Sequence, residues 1–138
     1  MNLLRRSSFI LVLTALAVPA TAEEPIDGAA LYHQQCASCH GANLEGQPNW
    51  MERKPDGRLP APPHDASGHT WHHSDRQLFH IVRDGLASIA PGYETDMKAF
   101  VGVLTDEQLQ SVLDYIKSTW PARQQEFQAA RSAADPGP

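Results

Sequence analysis

The 138-residue chain has two cysteines, Cys36 and Cys39. They stand three positions apart, so a bridge between them would close almost no loop, and a disulfide-stapled scaffold is excluded. Methionine is nearly as scarce: beyond the first twenty-two residues only Met51 and Met97 occur. No segment alternates polar and apolar residues as a half-buried strand would, so no sheet is expected. The longest apolar run, Phe9 to Val18, falls short of the roughly 20 residues a bilayer-spanning helix requires. Cations are also few, with 11 Lys and Arg against 16 Asp and Glu, a balance that argues against nucleic acid and anionic membranes as partners.

That short apolar run has a context. Arg5 and Arg6 precede it and Pro19-Ala20-Thr21-Ala22 follow it, which is the basic, apolar and small-residue order of an export signal. Residues 1–22 are therefore predicted to be a signal peptide and residues 23–138 one domain of ordinary size. The mature chain would carry about −7 formal charges, would lie in the periplasm, and would have no stable membrane insertion.

Within the domain, Asp27 is placed to cap a helix through "GAALYHQQC", with Gly28, Leu31, Tyr32 and Cys36 on one face. Gly41 to Ser74 contains Pro48, Pro55, Pro60, Pro62 and Pro63 and four of the nine glycines, so it can be neither a helix nor a central strand. A small domain tolerates so long an irregular stretch only where function or a bound group orders it. Ser74 is the predicted cap of a second helix, "DRQLFHIVRDG", stopped at Gly85. A loop then runs through Pro91 and Gly92 to Thr105, where "TDEQ" forms a capping box for the clearest helix. Leu109, Val112, Leu113 and Ile116 are its apolar face, Tyr115 its flank, and Pro121 its end. Residues 121–138 are expected to be a mildly helical, fraying tail. The fold class is all-α with long loops.

"CASCH", Cys36 to His40, is the most informative pentapeptide. Two thiols at this spacing can each add to a vinyl group of one haem, which leaves the adjacent imidazole placed to ligate the iron. The expected cofactor is thus one haem c, attached through thioethers at Cys36 and Cys39, with His40 as proximal ligand. A thiol–disulfide pair would call for a βαβ context, and a zinc site for a second Cys/His pair. Neither fits a chain without strands and with no cysteine left over.

With these residues in place, the chain resembles the monohaem class I c-type cytochromes, from about Pro25 to Pro121. The resemblance rests on "DGAALYHQQCASCHG", "GYETDMKAF" and "LTDEQLQSVLDYIKSTW". It implies that the first and last helices cross closely, with Gly28 and Tyr32 meeting Val112 and Tyr115. It also implies a sixth iron ligand from a loop before the final helix, which selects Met97 over Met51. A thioether ligand favours reduced iron and raises the potential relative to a second histidine. This chain departs from the family at Lys98, where proline commonly follows the ligand methionine.

Four of the seven histidines fall within "HDASGHTWHH". His64, His69, His72 and His73 could form a copper or zinc site, one of them could replace Met97, or they could pack with Trp71 beside the haem as ordinary structure. Gly68 and the prolines argue against the helix that a metal site would use, and packing is the expected role. His33 and His80 read as surface or satisfied core residues. The function expected is electron carriage rather than catalysis. A dehydrogenase or copper enzyme would be the donor and a terminal oxidase the acceptor. The alternatives are a haem peroxidase or ligand sensor with a labile sixth position, and a copper-binding module built on the histidine loop.

Overall fold

The structure is a computed structural model and describes residues 24–135. The predicted signal peptide, residues 1–22, lies outside the described residues. Five α-helices follow in chain order: α1 (Gly28–Gln35), α2 (Ala37–His40), α3 (Asp75–Asp84), α4 (Asp106–Ser118) and α5 (Ala122–Ala133), with single 3-10 turns at Thr70–His72 and Leu86–Ser88. Among the described residues there is no strand, and a lone bridge between Val101 and Leu104 closes a turn. The all-α expectation holds.

The helix starts are dictated locally. Asp27 accepts from the Ala30 amide at 3.0 Å, and Ser74 and Thr105 each form a full capping box, with Gln77 and Gln108 respectively. Each such box satisfies two amides that the first helical turn cannot pair. The α3 carbonyls left open at the other end are covered by the returning chain: the Phe100 amide donates to Val82 and the Val101 amide to Arg83, at 3.0 and 2.8 Å. The predicted first helix is shorter than expected, because the chain breaks at Cys36 and restarts as α2.

α1 and α4 cross at close range. A Cβ at Gly28 would lie 2.0 Å from the Ser111 carbonyl oxygen, so only glycine admits this approach. Tyr32 is fully buried beneath the crossing, donates its hydroxyl to the Gly41 carbonyl at 2.8 Å, and lies 5.5 Å from the Tyr115 ring. Leu44, Leu78, Val112, Leu113, Ile116 and Trp120 complete the core around it.

The tail departs from expectation. Residues 122–133 form a regular helix that packs on the start of α3 and on the histidine loop. Gln128 is buried and donates to Asp75 and Ser132 at 2.8 and 3.0 Å, while the Ser132 hydroxyl accepts from the Asp75 amide at 2.9 Å. Phe127 meets Trp71 edge to face at 5.3 Å. Composition alone hides this element, since polar contacts rather than an apolar stripe hold it in place.

Candidate functional site

The CASCH segment is folded as the break between α1 and α2, with Cys36 half-buried, Cys39 exposed and neither in a disulfide. Burial, and then the neighbouring Cys39, push the Cys36 thiol up to about 11. A thiol–disulfide oxidoreductase needs the opposite shift, so that reading loses its chemistry.

His40 ends α2 and is only 8% exposed. Its Nδ1 lies 2.9 Å from the Pro62 carbonyl. A carbonyl can only accept, so Nδ1 carries the proton and Nε2 keeps its lone pair. Burial holds the ring below its ordinary pKa, against the opposing effect of the Pro62 bond. A neutral imidazole, oriented by a bond through its other nitrogen, is what iron ligation requires. Pro62 is itself fixed. A Cβ at Gly46 would come within 2.5 Å of the Pro63 nitrogen and one at Gly68 within 2.0 Å of the Pro63 oxygen, so the Pro62-Pro63 backbone is wedged between two glycines. The sequence reading missed Pro62; the proline-rich run was its only signal.

The histidine loop resolves into separate environments. His64 stacks on His40 with centroids 4.0 Å apart and places Nδ1 2.8 Å from the Thr70 hydroxyl. Two ligands on opposite sides of one iron, each at about 2 Å, could not stack in this way, so His64 is not a distal ligand in this arrangement. His69 stacks on Trp50, and His72 lies tilted against Trp71. Among the described residues no group of three or more His, Cys, Asp or Glu is gathered to hold a metal ion. Packing against aromatic rings, the role expected for the loop, is what the geometry shows.

Among the described residues two buried donors have no partner: Trp71 Nε1 and Arg58 Nε. Buried polar atoms are nearly always satisfied, and two open donors suit a cofactor that carries carboxylates, as haem does with its propionates. The residues present therefore fit the group that the CASCH motif implies.

Met97 is half-buried in the loop before α4 and donates its amide to Thr95 Oγ1 at 3.1 Å. Met51 is 74% exposed, as a residue without a site role would be. Asp96, beside Met97, is bonded to Lys54 and to Arg58, a contact no local sequence pattern announces.

The cytochrome c family model matches residues 26–120. The chain belongs to the cytochrome c family. A nitrite reductase from Stutzerimonas stutzeri is similar to this cytochrome, 28% identical over 114 residues that cover 78% of the chain and 18% of that reductase. The chain thus spans less than a fifth of the length of this curated relative. No solved structure matches. The all-α class I fold and the CASCH motif agree with the family assignment, and haem c is its cofactor. Among the described residues no helix is long and apolar enough to cross a membrane.

Proposed function

We propose that this cytochrome is an exported, periplasmic electron carrier in which His40 and Met97 are the axial ligands of one haem held by Cys36 and Cys39. The observation that carries the reading is the His40 to Pro62 bond, which fixes both the tautomer and the direction of the ligating nitrogen at the end of the CASCH segment. When bound, the haem supplies a one-electron ferric–ferrous couple. The chain's own part is to keep His40 neutral and oriented, to offer the Met97 thioether, and to present Trp71 and Arg58 as donors for carboxylates. None of these groups changes protonation as an electron passes, so little has to rearrange.

A dehydrogenase or copper enzyme is proposed as donor and a terminal oxidase as acceptor, through small, transient contacts. The likeness to part of a nitrite reductase supports a unit that handles electrons for a redox enzyme.

An optical spectrum of the purified protein tests the reading. Covalent haem and a long-wavelength ferric charge-transfer band from sulfur–iron coordination are expected. Met97→Ala should abolish that band, and Met51→Ala should leave it intact. Absence of covalent haem would end the proposal. A wild-type protein without the band that binds carbon monoxide or cyanide readily would instead favour a peroxidase or sensor.

A further inference from the structure

The loop that carries Met97 has few attachments. Tyr93 is tied back to Ala90 at its start, and Phe100 and Val101 are tied to the end of α3. No proline stiffens it between Pro91 and Pro121. Among the described residues, every hydrogen bond or ion pair from residues 94–99 to another element is made by Asp96.

Its partners come from one turn about forty residues earlier. The Lys54 amide donates to the Arg58 carbonyl at 2.9 Å and the Gly57 amide to the Lys54 carbonyl at 2.8 Å, with Gly57 in the left-handed region at φ 85°. This closure sets two cations side by side, with Lys54 on one oxygen of the Asp96 carboxylate and Arg58 Nη1 on the other at 2.7 Å. The turn is braced by Arg53, which donates to the Gly57 carbonyl at 2.6 Å. The same guanidinium lies 5.9 Å from the ring centroid of Tyr93, at the root of the methionine loop. Residues 53–58 therefore hold the loop at two points, Tyr93 and Asp96.

We propose that Asp96, clamped between Lys54 and Arg58, is a positioning residue that keeps the Met97 loop closed over the cofactor. This rests on the reading of Met97 as sixth ligand. Isolated exposed ion pairs contribute little to global stability. Here two cations converge on one carboxylate, and the segment it secures has no other polar tie, so a modest interaction is enough to shift the population of an open loop several-fold. The clamp acts on access to the sixth position rather than on the fold as a whole.

The test uses the haem-loaded, ferric, full-length protein, with imidazole as probe ligand. Asp96→Asn should bind imidazole about five- to tenfold more tightly than wild type, and Lys54→Gln, which leaves Arg58 in place, about two- to fivefold more tightly. They should also speed amide exchange across residues 94–99 and leave the thermal midpoint nearly unchanged. Asp96→Glu should lie near wild type, and Asp114→Asn, which removes the same charge from α4, should match it. In about 1 M salt, where screening reaches down to roughly 3 Å, wild type should move towards Asp96→Asn. The clamp is overturned if both clamp variants keep wild-type imidazole affinity and loop exchange while Met97→Ala abolishes the ferric charge-transfer band. If Met97→Ala leaves that band in place, the ligand reading has failed and the clamp proposal falls with it.

Discussion

An imidazole that is costly to charge in the folded protein makes the fold sensitive to acid, and half-buried His73 and, more weakly, solvent-exposed His69 are both of this kind. Burial lowers both pKa values, followed at His69 by the repulsion of His73 and His72; at His73, a bond to Gln77 opposes the burial effect. In the unfolded chain each would titrate near its ordinary value of about 6.5, so that state takes up protons first as pH falls. Their contribution is therefore complete above about pH 6.5 and is lost as pH drops through that value towards the folded one. The paired carboxylates act in a different window. Asp96, held down by Lys54 and Arg58, and Asp135, held down by Ser74 and Arg76, lose their contribution only below the ordinary carboxylate range near about 4. The thermal midpoint of the haem-loaded protein should thus fall between pH 7 and pH 5, and His69→Gln with His73→Gln should make that fall shallower. An unchanged slope in the double variant would show that these two rings do not carry the acid sensitivity.

Helix crossing sets opposite expectations for one substitution. Alanine is the better helix former by roughly 1 kcal/mol, so propensity alone says that Gly28→Ala stabilises α1. The crossing says otherwise, because the new Cβ would lie 2.0 Å from a backbone oxygen of α4, where no side chain can swing away. Overpacking of this kind costs about 1–3 kcal/mol, and the thermal midpoint should drop by roughly 5–15 °C; an equal or higher midpoint would refute the close approach. The helix starts and the CASCH segment were legible in the sequence because their signals are local, two capping motifs and five contiguous residues, whereas the meeting of Gly28 and Tyr32 with α4 was implied by the family resemblance. α5 was legible only as a weak tendency. Phe127 is the one large apolar side chain in its twelve residues, and what fixes the helix is Gln128 and Ser132 bonding to the start of α3, more than fifty positions away. Pro62 behind His40 and Lys54 and Arg58 against Asp96 were hidden for the same reason. Each joins distant parts of the chain through polar atoms that carry no periodicity.

At the scale of the molecule, the buried apolar side chains among the described residues are few. They are Tyr32, Leu44, Leu78, Leu109, Val112, Leu113, Ile116 and Trp120, all but Leu44 from the helices or the turn that follows α4. The stretch from Gly41 to Ser74 contributes Leu44 alone to this core and contains one helical turn, yet it carries Pro62, which orients His40, and the open donors of Arg58 and Trp71. Backbone bonds such as Gln47 to Ala61 and His64 to Leu44, with the Trp120 indole on the His64 carbonyl, tie it down in part, and two unpartnered buried donors within it are open to the haem as a further tie. Anything that binds only the folded state stabilises it by mass action, and covalent attachment makes that contribution permanent. A Cys36→Ala, Cys39→Ala chain, freed of any loosely held haem, should therefore keep part of its helix signal, melt without a sharp transition, and exchange the amides of residues 41–74 rapidly. If that chain melts cooperatively within a few degrees of the haem-loaded protein, the helical core is sufficient by itself, and the long loop is ordered by the chain rather than by what it wraps.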